Sequence, residues 1–343
     1  MTDRAFAVAL VVVFGTLASS GHPARGATSP AGSTGLPSSA ATCVLRGIAE
    51  PRVNASIEDG QGRVIARFSG APTALLATDF PPDARGRVRI ETGTGAGGFR
   101  VRGLLSIADL PLYTTANVPV VQGHVWIGAR REVSFVGSSP GRLRIEKRLS
   151  QPFSQTFVAW APCSSLSLAT VPPPGWSPAG DARGYVLKNA ALELFDQASG
   201  TLVSTLTRSR DVDSVLFFSA EKRGDFVNLG YHGEVVIEAW ARARDLTALA
   251  PGETQDQLAP RSMTRSSPRL AVQGEPRVVK PERAVPLRAT AKESEVAIGV
   301  VEPGAETYVL DVVAGWASVM PKAMNVVPGP DGQFWVKASD LGI

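Results

Sequence analysis

Cysteine, histidine and lysine are scarce in this chain, with two, three and seven residues in 343. So few thiols and imidazoles leave no Cys/His cluster from which a zinc centre could be assembled, so neither a metal nor a cofactor is expected. Charge is thin as well. Charged residues are 19% of the chain, and 35 Lys+Arg against 31 Asp+Glu leave +4, too weak a field to demand a nucleic-acid partner. Long apolar runs are absent apart from one near the amino terminus, and aromatic residues make up only 7%. Gly (34) and Pro (26) are plentiful, together about one residue in six, which predicts many turns rather than long helices and leaves only Gly- and Pro-poor windows able to hold a helix. Hydrophobic residues at 44% still supply enough apolar surface for globular parts, and the length allows several small domains more readily than one core.

The single apolar run, AFAVALVVVFGTLA at residues 5 to 18, is shorter than the roughly 20 residues needed to span a bilayer and suits a secretory signal. Small residues at Ala18-Ser19-Ser20 offer a cleavage site, so residues 1–20 are expected to be a signal peptide, with an uncleaved anchor as the alternative. No Cys occurs after the run until Cys43, which disfavours lipid attachment. The mature protein is then secreted or periplasmic, with no stable membrane span after cleavage. Residues 21–42, rich in Gly, Pro, Ser and Ala, predict a disordered tail. Cys43 and Cys163 would meet an oxidising compartment, which predicts a disulfide between them; two separate thiols are the alternative.

A seven-residue signature recurs: LLSIADL from Leu104, WAPCSSL from Trp160, WARARDL from Trp240 and WVKASDL from Trp335. The openings lie 56, 80 and 95 residues apart, yet the distances from Val53, Leu112, Leu194 and Leu287 to the next opening are 51, 48, 46 and 48. Near-constant spans joined by variable connectors point to repeated small folds. Within them apolar residues alternate at period two, as in Arg87-Val88-Arg89-Ile90-Glu91 and Arg142-Leu143-Arg144-Ile145-Glu146, and turn signals fall between the runs. The chain thus divides into four units, 43–109, 110–168, 184–249 and 284–343, with linkers at 169–183 and 250–283. Units 1 and 2 have no spacer between them and are expected to pack as a rigid pair.

In unit 4, Leu287-Arg288, Val296-Ala297-Ile298-Gly299, Tyr308-Val309-Leu310, Gly315-Trp316 with Val319, and Phe334-Trp335-Val336 up to Leu341 resemble a bacterial SH3-like domain. The resemblance covers about 60 residues. It departs from the family in the long Met320 to Asp331 hairpin, and units 1 to 3 lack the Gly-Trp pair. It implies an all-β tandem array of four small SH3-like barrels after a disordered tail. It also implies binding of cell-wall polymers or envelope peptides by an exported, non-enzymatic scaffold.

Two groups of side chains are candidate ligand contacts. In unit 4, Tyr308, Trp316, Phe334 and Trp335 could line an aromatic groove for a peptide, or could equally fill the core of a small barrel. In unit 2, Arg130, Arg131, Arg142 and Arg144, with Lys147 and Arg148, outweigh Glu132 and Glu146. These are either the outward face of alternating strands or a patch for an anionic envelope polymer, not nucleic acid. Gly93-x-Gly95-x-x-Gly98 matches a dinucleotide fingerprint in letters, but it lies between two predicted strands with no helix to receive a phosphate. Gly137 to Gly141 matches G-x-S-x-G, and Ser139, Asp225 and His232 occur in the order of a hydrolase triad; a hydrolase, or an accessory subunit of one, is the alternative function. After Gly141 the pattern predicts another strand, RLRIEK, in place of the helix such an elbow needs. His124 and His232 have no clustered carboxylates and are expected to be ordinary side chains.

Overall fold

The period-two runs become strands wherever one face can be buried. In Arg87–Thr92, Val88 and Ile90 are fully buried while Arg89 points to solvent; in Arg142–Leu149, Leu143 and Ile145 are buried while Arg142 and Arg144 are exposed. A computed structural model describes residues 42–93, 98–169, 171–250, 276–330 and 332–343. Among these the chain is all-β and antiparallel, and its only helical segments are four 3₁₀ turns of three or four residues. No helix among the described residues is long and apolar enough to cross a membrane. The expected signal peptide and nearly all of the expected tail lie outside the described residues.

A lead strand paired to a three-stranded meander occurs in all four units. In unit 2, Leu112–Thr114 lies between Leu166–Ser167 and Glu132–Ser139, and the latter continues through Arg142–Leu149 to Gln155–Pro162 as a meander. A short hairpin, Val118–Val121 with Val125–Ile127, precedes that meander. In unit 3, Arg183–Leu187 takes the place of the lead strand and Ala191–Phe195 with Leu202–Thr207 that of the hairpin. Cys43–Ala49 leads unit 1 into the meander Thr73–Phe80, Arg87–Thr92 and Phe99–Ser106. Arg277–Val279 leads unit 4 into Thr307–Val313, Trp316–Pro321 and Phe334–Lys337. Arg277–Val279 falls inside the stretch read as the 250–283 linker, while residues 251–275 lie outside the described set.

Each signature ends a meander. Strands ending at Ser106, Pro162, Arg242 and Lys337 run directly into the 3₁₀ turns Ile107–Asp109, Cys163–Ser165, Ala243–Asp245 and Ala338–Leu341. The terminal Leu110, Leu166 and Leu246 are buried, which explains why the signature closes on leucine. The residues from which the spans were counted are less uniform. Val53 is 52% exposed in a turn just before the unit 1 hairpin, Leu194 and Leu287 lie in hairpin strands, and Leu112 lies in a lead strand. The value of 48 in unit 2 therefore spans a different pair of structural positions.

Two expectations need correction. Among the described residues no closed barrel is formed, because every sheet stays open. Nor does each unit stand alone, because strands from distant segments share sheets. Gly299–Val301 of unit 4 pairs with Phe99–Ser106 of unit 1, and Val326–Pro328, inside the long hairpin that departs from the family pattern, pairs with Val64–Phe68 of unit 1. Val125–Ile127 of unit 2 pairs with Val235–Arg242 of unit 3. The physical reason is the cost of bare edges: a neighbour's strand satisfies their N–H and C=O groups as well as self-closure does. The described residues consequently form one compact unit. Units 1 and 2 are joined by the Cys43–Cys163 disulfide and by the Phe80–Phe135 ring contact at 5.7 Å.

Side chains reinforce the shared sheets. At the junction of units 2 and 3, Phe153 is fully buried, 5.3 Å from the Tyr231 ring and 6.2 Å from that of Phe217. Glu234 there accepts both Arg131 at 3.1 Å and Lys147 at 2.6 Å. Between units 1 and 4, Phe99 and Phe334 meet at 5.8 Å, and Arg100 and Arg63 pair with Glu302 and Glu295 at 2.6 and 2.7 Å.

Candidate functional site

Register assigns the unit 4 aromatics to two faces. Directly opposed residues share a face, and Trp316↔Lys337, Ser318↔Trp335, Val319↔Phe334 and Tyr308↔Met320 are opposed. Phe334 therefore belongs with Val319 on the inner face; it is fully buried and packs on Phe99, so it is core and not groove. Tyr308, Trp316 and Trp335 lie together on the outer face, half-buried. Arg288 joins them, exchanging both backbone hydrogen bonds with Trp335 and placing its guanidinium 5.9 Å from the Trp316 ring centre. At the middle of this face Ser318 is fully buried, and its hydroxyl has no hydrogen-bond partner among the described residues. Lys337 pairs with Glu293 at 2.6 Å and Arg288 donates to the Glu295 carbonyl, so it is chiefly the two tryptophans and the tyrosine around a small serine that form a surface able to grip an extended chain, by stacking. Arg288 and Lys337 were missed as site residues. Arg288 was legible only as part of the Leu-Arg motif, because its approach to Trp316 depends on the hairpin pairing with Phe334–Lys337.

The unit 2 arginines are divided. Arg131 turns towards unit 3, where it pairs with Glu234, and Arg130, at φ +60°, donates to the Pro172 carbonyl at 2.7 Å. Arg142 and Arg144 are exposed on the outer face of the Arg142–Leu149 strand. One patch of four is thus not formed: two arginines hold the fold together and two face solvent.

A third feature had no sequence signal. Unit 1 carries a polar cleft of about 610 Å³ between its short hairpin, the turn before Arg87–Thr92 and the 3₁₀ turn, lined by Asn54, Glu58, Arg85, Arg87 and Asp109. Arg87 bonds Glu58 at 2.9 Å and Asp83 at 2.8 Å. Burial raises the Asp83 pKa, but the backbone N–H and guanidinium of Arg87, with the Arg85 N–H, hold it below the ordinary carboxylate value. These charges are largely satisfied by one another, so the cleft offers few free groups to a ligand.

Comparison with models of protein families, with curated proteins and with solved structures finds no match.

The hydrolase constellation is not assembled. Asp225 precedes the Phe226–His232 strand and His232 ends it, so the two lie roughly 20 Å apart at about 3.3 Å per residue, beyond hydrogen-bond reach. Ser139 ends a unit 2 strand that turns back into Arg142–Leu149 with no helix. Gly93 and Gly98 flank antiparallel strands, as expected; residues 94–97 lie outside the described set. Among the described residues there is no cluster of three or more metal-ligating side chains.

His232 instead holds the 169–183 linker. Its ring stacks on Trp176 at 4.3 Å with a 10° tilt, and Trp176 also touches Phe218 at 5.5 Å. Residues 171–179 have no regular secondary structure, yet Trp176 anchors them over the unit 3 sheet. Burial pushes the His232 pKa below its ordinary value, while Glu238, 3.8 Å away, pulls the other way. A depressed folded-state pKa means that the unfolded chain takes up the proton first on acidification. The contribution of His232 is complete above its ordinary value near pH 6.5 and is lost as pH falls through the folded value. Protection factors of the Trp176, Ser177, Ala179 and Gly180 amides, with the intrinsic slowing of exchange at lower pH divided out, should therefore fall between pH 7.5 and 5. A His232→Phe variant, which keeps a ring on Trp176 without a titrating group, should show a flatter profile. Identical profiles would show that His232 does not govern the contact.

Proposed function

We propose that the chain is an exported, non-enzymatic, multivalent binding or scaffolding protein of the bacterial cell envelope, built of SH3-like units that recognise wall polymer or peptide. The observation that carries this is the outer face of unit 4, where Trp316, Trp335 and Tyr308 share one side of a sheet with Arg288 and Lys337. Half-buried aromatics beside cations suit extended chains bearing carbonyl and carboxylate groups. The lead strand and meander common to the four units support the SH3-like assignment, and the coupling of the units through shared sheets would present several surfaces in fixed relation, which raises avidity without a single strong site.

The experiment is co-sedimentation of the purified chain with isolated peptidoglycan sacculi. Wild type should bind, and Trp316→Ala should weaken binding at least tenfold, about 1.4 kcal/mol, with an unchanged unfolding midpoint. Wild-type protein that stays in the supernatant refutes the proposal.

A further inference from the structure

Trp160 opens the unit 2 signature as Trp240 and Trp335 open theirs, but its surroundings differ. Trp240 is 7% exposed and covered by Arg223 at 5.2 Å, and Trp335 is half-buried beside Arg288. Trp160 is 44% exposed, and no aromatic ring or cation of the described residues lies over it. It stands on the outer sheet face directly opposite Arg144, which is in turn opposite Gly137. A Cβ placed on Gly137 would lie 3.5 Å from Arg144 Cβ and 3.8 Å from its Cδ, so the arginine stem leans over the glycine and leaves the indole face open. Arg142, opposite Ser139 and Pro162, lies about 7 Å along the same face. Neither arginine makes a side-chain hydrogen bond or ion pair with a described residue, unlike Arg131, which Glu234 occupies, and Arg148, which lies 3.8 Å from Glu146.

A free indole beside two unneutralised guanidinium forks is a specific combination. The flat ring accepts the C–H face of a sugar, and each fork accepts a carboxylate through two parallel hydrogen bonds. We propose that this face of unit 2 is a second binding site, for an acidic polysaccharide, with Trp160 stacking on a sugar ring and Arg142 and Arg144 pairing with uronate carboxylates. The charge complementarity comes from the two unpaired arginines. An acidic peptide would engage the forks equally well, and the open, flat indole face beside them, which matches the C–H face of a pyranose ring, is what favours a sugar chain here. The inference goes beyond the unit 4 site, which it does not require.

The test is isothermal titration of the full chain with polygalacturonate, with neutral dextran and poly-glutamate as comparison polymers. Wild type should bind polygalacturonate and not dextran. Trp160→Ala and the double variant Arg142→Gln/Arg144→Gln should each weaken binding at least tenfold, Trp160→Phe should restore most of the loss, and Trp316→Ala should leave it unchanged. All of these positions but Trp316 are exposed, and an unchanged melting temperature confirms that each variant folds. Poly-glutamate binding as tightly as polygalacturonate, or Trp160→Ala binding like wild type, would overturn the proposal by showing attraction to charge alone. Loss through Trp316→Ala would also overturn it, by placing the site in unit 4. Sacculus binding that survives Trp160→Ala keeps the two proposals separable.

Discussion

Alanine at position 299 should break the junction between the carboxy-terminal unit and unit 1. A Cβ at Gly299 would lie 1.9 Å from the Arg100 carbonyl oxygen and 3.0 Å from Val101 Cα, both backbone atoms that cannot rotate aside. Gly299 sits opposite Val101 in the shared sheet, so the clash can be relieved only by pulling Gly299–Val301 away from Phe99–Ser106. Separation would also open the Phe99–Phe334 contact and the Arg100–Glu302 pair. Overpacking against rigid backbone with loss of ladder hydrogen bonds should cost about 3 kcal/mol or more. Urea unfolding reports it, as does hydrogen exchange at Arg102 and Glu302, whose N–H groups donate across the junction to the carbonyls of Ile298 and Gly98. Gly137→Ala is the control, because its Cβ would meet Arg144 only at ordinary contact distance, and it should change stability by less than about 0.5 kcal/mol. A Gly299→Ala cost as small as the control's would mean that the two units do not share a sheet in solution.

Reduction of the Cys43–Cys163 disulfide should have the other large effect. The bond closes a loop of 120 residues, whose release in the unfolded chain corresponds to about 4 to 5 kcal/mol on the chain-entropy account. It ties the first residue of the unit 1 lead strand to the 3₁₀ turn of unit 2. Loosening is expected first where unit 1 meets unit 2, around Phe80 and Phe135, while the junction of units 2 and 3 around Phe153 keeps its own strand pairing. The Cys43→Ser/Cys163→Ser double variant should unfold at a clearly lower urea concentration than the oxidised wild type and should coincide with the reduced wild type. Oxidised and reduced protein unfolding together would remove the bond from any stabilising role.

Much of the local structure was legible from residue patterns. Alternation in Arg87–Thr92 and Arg142–Leu149 determined which side chains face inward, because a strand with one buried face imposes period two. Signature leucines at 110, 166 and 246 marked the ends of the meanders, and the two cysteines specified their own partner. The candidate sites were only half legible. Aromatic residues were found by type, but assigning Phe334 to the core and Trp316 with Trp335 to the outer face required their register against Trp316–Pro321. The unit 2 arginines read as one group because they are near in sequence; the partner that divides them, Glu234, lies 103 residues from Arg131.

By itself the sequence determined an all-β chain, its turns, the ends of its four meanders and its one disulfide, since each arises from local pattern or from the chemistry of two thiols. Only the tertiary structure decided that units 1 and 4, and units 2 and 3, share sheets. Edge pairing runs through backbone N–H and C=O groups that every non-proline residue carries, so it leaves almost no mark on side-chain identity. Gly299 and Gly329 are exceptions: at each the strand crossing leaves no room for a Cβ, against the carbonyl oxygens of Arg100 and Val64.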